Sequence, residues 1–430
     1  MPSVRARRSA GSRSCRARIG GVGETTREWS LARRVLFRFG VVVAVAQILP
    51  FPLDLLPKTD WLTSRYADLW NWLLRGFGHV IGAVVPSTEP TGSGDTTAAW
   101  VGFAMQLAIG VAGAAIWSAI DERRQKRAYP RAARWTFTAL RYWLAFAMFG
   151  YGLAKLFHVQ FGSPRLATLD RGIGQLSPMA LLWTFMGYSW PYTVFAGLGE
   201  CLGGALLLWR RTTTLGALIL IPILVNVVML NFCYDVPVKL YSSTLLVVAG
   251  VLAAPDLVRV LAVVLGRAVP ARQVAPPRSS RVVWLSAMGK LVLVVLVVGV
   301  QATDLVDARD ERAQRSPLQG LYDVESERVD GVEAAGDARW RRVIFEGASA
   351  SVRASSDEIT RYGAELDEAK HTVVLARAGN REVYAVTRPA PDRLVLDGAH
   401  LHVVLRARDP DAFPLMTRGF HWIQEAPYNR

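Results

Sequence analysis

The sequence predicts a mainly α-helical, polytopic membrane bundle of about seven spans, followed by a small antiparallel β domain at the C-terminal end. Two observations support this fold class. Of the 430 residues, 51% are hydrophobic, and they fall in long runs, which is typical of membrane helices rather than of a soluble core. After about residue 316 the long runs give way to short apolar segments between turn residues, which is typical of β-strands.

Seven apolar runs are long enough to cross a bilayer, which takes about 20 residues at a rise of about 1.5 Å each. They lie at residues 35–55, 98–120, 135–157, 190–209, 213–232, 239–262 and 282–302. We therefore predict seven membrane-spanning helices.

The charges between these runs predict the orientation of the bundle. The first 38 residues contain ten Arg and two acidic residues, and the segment Asp121–Arg134 contains six basic and two acidic residues. Arg210 and Arg211 follow the fourth run, and with seven spans these basic segments fall on one side. Basic segments stay in the cytoplasm. We therefore expect a multi-pass protein of the cell (inner) membrane, with a cytoplasmic N-terminus and an exported C-terminal domain.

Five parts follow from this topology. They are a basic cytoplasmic flank (1–34), accessory spans with an outer interfacial segment (35–134), a membrane core (135–266), a cytoplasmic linker with the last span (267–302) and an exported β domain (303–430). Within the second part, Trp70 and Trp72 suit the head-group level of a bilayer, so we expect Asp68–Val85 to be an interfacial helix. Ser177 and Pro178 predict the start of a short helix that runs to Met186.

The net charge of +15 is a signal of topology rather than of a nucleic-acid partner. Residues 303–430 contain 18 basic and 22 acidic side chains, so the positive excess lies in the membrane part. We expect membrane lipids as partners and no nucleic acid. The basic N-terminal flank either contacts anionic lipid head groups or is a solvated segment that fixes orientation.

Polar side chains inside the apolar runs mark the candidate site, because a charge inside a bilayer is costly unless it is paired, protonated or hydrated. Glu200 lies near the middle of the fourth run, and Arg141 and Lys155 lie on roughly one face of the third. The complete candidate set is Arg141, Lys155, Glu200, Asn226, Asn231, Asp235 and Lys239. Together they predict a polar seam from the outer surface down to Glu200.

Two interpretations of this seam stay open. In the structural one, Glu200 pairs with Arg141 to fix helix register, and the Asn side chains bond across helices. In the functional one, the seam is a pocket for a quinone-like head group, a proton or a lipid. Asp235 and Lys239 flank Pro237, and we expect them to form an ion pair that stabilises a turn.

Five strand-length segments predict the β domain. They lie at residues 340–345, 371–376, 382–387, 393–396 and 399–406. His400 and His402 would share one face of a strand, but no Cys or acidic cluster accompanies them, so we predict no metal site. The terminal segment Arg418–Arg430 is rich in aromatic residues, and we predict that it docks as a closing strand. The alternative is that His421 and Glu425 are site residues.

Four segments resemble the DoxX/DoxD-like family of integral membrane proteins: Tyr151–Lys155, Met186–Ser189, Gly197–Gly204 and Asn231–Lys239. The resemblance covers about residues 135–262 and implies a four-helix membrane core within residues 135–266. The name of that family is linked to a thiosulfate:quinone oxidoreductase. This chain is an enlarged form, because it has further spans on both sides of the core and a C-terminal β domain.

Two functions are consistent with these features. The first is a non-catalytic or accessory component of an envelope complex, in which the β domain binds a partner protein. It is favoured because the sequence contains no nucleotide-binding, haem-ligand or iron–sulfur motif, so no cofactor is evident. The alternative is a quinone-interacting subunit of a membrane oxidoreductase, thiosulfate:quinone-like, in which Glu200 and Arg141 handle the quinone and its protons.

Overall fold

The structure is a computed structural model that describes residues 28–56, 58–85, 91–124, 128–270, 280–313, 316–409 and 413–427. Within these ranges the helices are α1 (Leu31–Ile48), α2 (Asp60–Val80), α3 (Thr97–Arg124), α4 (Pro130–Leu156), α5 (Leu166–Leu169), α6 (Pro178–Tyr188), α7 (Trp190–Leu207), α8 (Thr213–Cys233), α9 (Lys239–Val264), α10 (Ser280–Ala313) and α11 (Pro414–Thr417). The strands are β1 (Gly320–Val329), β2 (Val332–Glu333), β3 (Trp340–Glu346), β4 (Ser349–Ala354), β5 (Ile359–Asp367), β6 (Thr372–Arg377), β7 (Asn380–Ala390), β8 (Arg393–Asp397) and β9 (Leu401–Arg408).

Helices occupy all seven predicted apolar runs. In the described part of the chain, four helical stretches are long and apolar enough to cross a membrane, namely Thr97–Arg124, Thr213–Cys233, Lys239–Val264 and Ala287–Glu311. The other three helices, α1, α4 and α7, contain charged side chains that are buried within the protein. Four candidate spans fit a membrane protein, and the number seven stays a prediction.

Four of the helices form a closed core. Helix α4 packs against α7 and α9, and α8 packs against the same two helices. Their shared interior is apolar and fully buried, with side chains such as Leu144, Met148, Leu207, Leu220 and Leu224 at its centre. These helices lie within residues 130–264, so the structure contains a four-helix unit where the sequence predicted the membrane core.

The remaining long helices pack outside this core. Helices α1 and α3 pack against each other, α1 and α10 also contact α4, and α2 packs on α3. A buried guanidinium joins α1 to α3: Arg38 Nη1 donates to Ser118 Oγ at 2.6 Å, and Arg38 Nε donates to Tyr129 OH at 3.1 Å. Arg38 Nη2 lies 3.4 Å from Asp121 Oδ2. The charge of Arg38 is therefore fully partnered.

Of three predicted helices, two have boundaries that need correction and one is confirmed. The interfacial segment predicted at Asp68–Val85 is the longer helix α2, which begins at Asp60, where an acidic residue suits a helix N-terminus. Helix α10 continues to Ala313, beyond the predicted end of the last run at residue 302. The short helix predicted from Ser177 is confirmed as α6, because Ser177 Oγ accepts a hydrogen bond from Ala180 N at 3.2 Å.

The C-terminal part is an antiparallel β-barrel. Its strand order is β2-β1-β3-β4-β5-β6-β7-β8-β9, and β1 also pairs with β9, for example at Val329 with Leu401. Strand β1 and strands β3 to β9 thus close an eight-stranded barrel, and β2 extends a hairpin from β1. The interior is filled by buried side chains such as Val343, Phe345 and Leu405.

The prediction of a docked terminal strand was wrong for the residues that the structure describes. Residues 418–427 form no strand, and Phe420 and Trp422 are 78% and 91% exposed. The physical reason is that β1 and β9 already pair with each other, so the closed barrel has no free edge for another strand.

The barrel contacts the segment between α4 and α6. Asp170 in that segment is buried and accepts hydrogen bonds from Arg342 of β3 and Arg353 of β4; Arg353 Nε lies 2.7 Å from Asp170 Oδ2. Arg353 Nη2 also donates to the backbone oxygen of Asp170 at 2.6 Å. Nearby, Glu346 accepts from Arg165 Nε and from Leu166 N, both at 3.1 Å. These bonds join the barrel to the end of the bundle at which α4 terminates.

Candidate functional site

A buried ion pair joins α4 to α7. Lys155 Nζ donates to both carboxylate oxygens of Glu200, at 2.9 Å to Oε1 and 2.7 Å to Oε2. Lys155 is 5% exposed and Glu200 is 3% exposed. Both charges are thus removed from solvent and satisfied mainly by each other, which is the arrangement that a charge at membrane depth requires.

Glycines bring the two helices close enough for this pair. A Cβ atom on Gly152 would lie 2.8 Å from Gly197 O, and a Cβ atom on Gly197 would lie 2.7 Å from Gly152 O and 3.0 Å from Lys155 Cβ. About two turns further along α7, a Cβ atom on Gly204 would lie 2.9 Å from Ala145 O. Helices in membranes approach closely where small residues meet. The glycine contacts therefore set the register that aligns Lys155 with Glu200.

The prediction that Glu200 pairs with Arg141 was wrong. Gly204 is level with Ala145, so Glu200 lies near residue 150 of α4, whereas Arg141 lies about 21 Å from Lys155 by helical rise. Arg141 is buried, its guanidinium lies 5.1 Å from the Tyr142 ring centroid, and its Nε has no hydrogen-bond partner among the described residues. Arg141 therefore belongs to a different part of the bundle.

The predicted amide and turn residues form two further groups. Asn231 is buried and donates from Nδ2 to Ser242 Oγ at 2.9 Å, so one Asn bonds across helices α8 and α9 as expected. Asn226 lies on the exposed side of α8. The predicted ion pair of Asp235 with Lys239 is confirmed, because Lys239 Nζ lies 2.9 Å from Asp235 Oδ1.

A cavity of about 630 Å³ connects several of these residues. Its walls come from α4, α6, α7, α8 and α9. The predicted residues in its lining are Lys155, Glu200, Asn226 and Asn231. The remainder of the wall is largely apolar and aromatic, including Phe161, Trp183, Tyr192 and Phe195. The structure thus brings together four of the seven predicted residues, while Arg141, Asp235 and Lys239 lie outside this lining.

The cavity opens on the outer surface of the helical bundle. Phe195, Leu198 and Leu202 of α7 line it, although these side chains are 73%, 54% and 54% exposed. Asn226, on the facing helix α8, is also exposed. An apolar mouth with one amide leads inward to the buried Lys155–Glu200 pair. This arrangement suits a molecule with a polar head group and an apolar body.

A second cavity, of about 540 Å³, lies on the other side of Tyr151. It is lined by Asp54, Trp143, Tyr151, Gln160, Tyr241 and Gln301, among others. Tyr151 and Gln160 line both cavities, so the two adjoin. The Lys155 ammonium lies 5.7 Å from the Tyr151 ring centroid, within the range of a cation–π contact. Tyr151 therefore separates the charged pair from the second cavity.

The described residues contain no group of three or more His, Cys, Asp or Glu side chains that could hold a metal ion. His400 Nδ1 lies 2.7 Å from Asp330 Oδ1, whereas His402 Nδ1 lies 3.2 Å from Asp397 Oδ1. The two histidines thus contact different carboxylates. Cys201, which is half-buried beside Glu200 in the sequence, is a free thiol.

Comparisons with known proteins identify a relative. No family model and no solved structure match the chain. The chain is 39% identical over 137 residues to "Uncharacterized protein YwoB" of Bacillus subtilis (strain 168), a match that covers 31% of this chain and 85% of YwoB. The chain belongs to the YwoB family. The name of that relative gives no activity, so the evidence for the function of this YwoB-family protein comes from its own residues.

Two functional groups of this YwoB-family protein were not predicted from the sequence. Asp95, before α3, accepts hydrogen bonds from Lys239 N at 2.8 Å and Leu240 N at 3.0 Å, and thus caps α9. Its carboxylate also lies 3.7 Å from Lys239 Nζ. Asp170 fixes the barrel to the bundle. Each is a single acidic residue in a loop, and its partners lie 144 or more positions away, so local sequence contained no signal for the contact.

Proposed function

We propose that this YwoB-family chain is an integral membrane protein of DoxX-like type that binds an amphipathic small molecule in the Glu200 cavity. In this proposal it acts as a non-catalytic or accessory component of an envelope complex. The observation that supports it best is the combination of a laterally open apolar cavity with a buried ion pair at its inner wall. The polar head group would contact Lys155, Glu200 or Asn231, and the apolar body would extend toward the mouth.

The buried pair is better suited to binding than to chemistry on its own. Lys155 and Glu200 are mutually satisfied at 2.7 and 2.9 Å, so neither is a free general base or nucleophile. A ligand group that bonds to Lys155 or Glu200 must either displace a bond of this pair or use a donor or acceptor that the pair leaves unused. Recognition of a neutral polar head group with donors and acceptors requires the least rearrangement.

We further propose the topology that the basic segments indicate: seven spans, a cytoplasmic N-terminus and an exported barrel. The barrel contacts the segment between α4 and α6, which supports a location of the barrel and of this segment on the same side of the membrane. Reporter fusions after Asp121 and Arg267 should read cytoplasmic, and fusions after Asp95 and Arg430 should read exported. A cytoplasmic reading at Arg430 would contradict this topology.

The binding proposal is tested by extraction of bound molecules from protein purified in mild detergent, followed by mass spectrometry. Leu198→Trp places a large side chain at the cavity mouth, and its matched control is Val247→Trp on α9, which is 64% exposed and does not line the cavity. We expect a reproducible amphipathic molecule in the wild type and in Val247→Trp, and a clear reduction in Leu198→Trp. Equal amounts in all three proteins would overturn the proposal.

A quinone-interacting subunit of a membrane oxidoreductase is the second candidate. It is favoured by aromatic rings and hydrogen-bonding groups that share the cavity wall, including Trp183, Tyr151 and Lys155. Lys155 could donate to a quinone oxygen. In the same extraction a quinone would be expected, and Lys155→Met with Glu200→Met should remove it. Recovery of a different amphipathic molecule, or of quinone that is indifferent to both substitutions, would reject this candidate.

A further inference from the structure

Three cationic side chains lie near the end of the bundle that is opposite the barrel. They are Arg141 on α4, Arg210 in the turn between α7 and α8, and Lys290 on α10. Their depths follow from two contacts: Gly204 of α7 is level with Ala145, and Gln301 Nε2 lies 3.5 Å from Phe146 O. From this common level, Arg141 lies about 7 Å and Lys290 about 16 Å toward that end by helical rise. Arg210 lies three residues beyond the end of α7 at Leu207, on the same side of this level.

The three side chains lie on neighbouring elements, because α4 packs against both α7 and α10. Their like charges repel one another across these contacts. Among the described residues, Arg141 has the Tyr142 side chain as its neighbour, and no carboxylate forms an ion pair with Arg141 or Lys290. Like charges at one site repel each other, so this grouping costs free energy unless an anion is present.

Because Arg141 is buried, the lack of a carboxylate partner costs it more free energy than it costs Arg210 or Lys290. Arg141 is 5% exposed, and its Nε has no hydrogen-bond partner in the described part of the chain. Lys290 is half-buried and Arg210 is exposed. A buried guanidinium with an unused donor requires a compensating acceptor. The cluster therefore has a buried inner donor and an open outer side.

We propose that Arg141, Arg210 and Lys290 form a binding site for a phosphate group, supplied by the head group of an anionic phospholipid. Guanidinium and ammonium groups are the usual protein partners of phosphate. On α10, the neighbours Leu291 and Val292 are exposed and apolar, at 54% and 59%, which suits acyl chains beside the head group. The site is separate from the Glu200 cavity, and it does not depend on what that cavity binds.

The test measures binding of phosphatidylglycerol, phosphatidylcholine and inorganic phosphate to the full chain in neutral detergent. The test variant is Arg210→Gln with Lys290→Gln, which spares the buried Arg141. Its matched control is Arg211→Gln with Arg281→Gln, since these exposed arginines lie in the same turn and the same helix and remove the same charge. An unchanged melting temperature of both double variants verifies that they fold.

We expect the wild type to prefer phosphatidylglycerol over phosphatidylcholine. The test variant should weaken phosphatidylglycerol binding by about 30-fold, the effect of two lost charges near a membrane surface, and the control should leave it unchanged. Competition by inorganic phosphate would assign the site to free phosphate as well, and no competition would assign it to the lipid head group. Equal weakening by both double variants, or no preference for phosphatidylglycerol, would overturn the proposal.

Discussion

At the scale of single residues, the Lys155–Glu200 pair makes each partner dependent on the other. Glu200→Gln leaves a buried ammonium without a carboxylate, so we expect a loss of about 3–5 kcal/mol in the free energy of unfolding. Lys155→Met leaves the carboxylate unpaired and should cost a similar amount. The double variant Lys155→Met with Glu200→Met removes both charges and should cost much less than the sum. Unfolding in mixed micelles measures all four proteins.

The same cycle distinguishes packing from binding. If the pair only fixes helix register, the double variant should be stable and should still contain the amphipathic molecule of the wild type. If the pair contacts the head group, the double variant should be stable but empty. Costs of the single substitutions that simply add in the double variant would show that the two charges are not coupled.

In the barrel, Glu327 of β1 is buried at 4% exposure and accepts a hydrogen bond from Trp340 N at 2.5 Å. Burial raises the pKa of Glu327 above its ordinary value, and the bond from Trp340 opposes that change. The folded barrel therefore holds this proton more tightly than the unfolded chain. This contribution to stability is complete below the unfolded pKa of about 4.3 and is lost as pH rises through the folded value.

Glu327→Gln should remove this pH dependence and stabilise the barrel at neutral pH, because the amide oxygen can still accept from Trp340. Hydrogen exchange of β1 and β3 in the intact protein, corrected for intrinsic rates and followed from about pH 4 to pH 8, measures the effect. Glu333→Gln on the exposed hairpin strand β2 is the control. The same pH dependence in wild type and Glu327→Gln would assign it to another group.

The residue types in the sequence predicted the position of the candidate site, but they did not predict which side chain pairs with Glu200. A carboxylate within an apolar run identifies Glu200 as unusual whatever its surroundings. Its partner depends on the register between two helices. The glycines at positions 152, 197 and 204 permit this register, because a Cβ atom at any of them would lie within 3 Å of a backbone oxygen of the facing helix. The sequence predicted Arg141 as the partner, and the register shows that the partner is Lys155.

At the scale of helices, the close contact between α4 and α7 leaves no room for a larger residue at its glycine positions. A Cβ atom on Gly197 would meet the backbone oxygen of Gly152 at 2.7 Å, so Gly197→Ala must move a helix. We expect a cost of about 1–3 kcal/mol and a weaker Lys155–Glu200 pair. Gly250→Ala on α9 is the matched control, since nothing lies within 4 Å of its Cβ position. Equal stability of both variants would contradict the role of Gly197.

For the terminal segment of the chain, in contrast to Gly197, we expect that a large change leaves stability unaltered. Because β1 and β9 close the barrel and Phe420 and Trp422 are exposed, removal of residues 418–430 should leave its unfolding temperature unchanged. Leu405→Ala, at a fully buried position, should instead cost about 2–5 kcal/mol. A lower unfolding temperature after the truncation would mean that the terminal segment stabilises the barrel after all.

Strands were predictable where apolar residues follow one another and were missed where they alternate with charges or small residues. Five segments matched β3, β6, β7, β8 and β9. Strand β1 contains four acidic or basic side chains in ten residues, and β4 contains small residues. Both have inward-facing positions that are buried. Because these strands were not predicted, the sequence did not show that the sheet closes into a barrel. The terminal segment was therefore predicted to be a further strand, although the closed barrel has no free edge for it.

At the scale of the whole molecule, the barrel and the helical part meet at the segment that also forms the cavity walls. Val159, Gln160 and Phe161 of this segment line the two cavities, and Asp170 further along it binds Arg342 and Arg353 of the barrel. The sequence predicted both parts, but not their contact, because it depends on single charged residues from separate parts of the chain. The contact couples the position of the barrel to the walls of the site.

Asp170→Asn tests this coupling. The substitution removes the carboxylate that Arg342 and Arg353 share, and these arginines keep only their partners within the barrel, Asp323 and Asp357. Because those partners remain, we expect a cost below the about 3–5 kcal/mol that is typical of a buried charge left with no partner. This cost falls on the docked state rather than on the barrel, whose core is separate. We expect faster hydrogen exchange in residues 157–177 and in β3 and β4 where they face that segment, with no change in the barrel interior.

Asp367→Asn is the matched control, because Asp367 pairs with Lys370 on the exposed surface of the barrel and far from the helices in sequence. It should leave exchange in residues 157–177 unchanged, since exposed pairs contribute little. If undocking also alters the wall of the Glu200 cavity, Asp170→Asn should retain less of the amphipathic molecule than Asp367→Asn does. Unchanged exchange in residues 157–177 of Asp170→Asn would show that the remaining contacts, such as Glu346 with Arg165 and Leu166, are sufficient to hold the barrel.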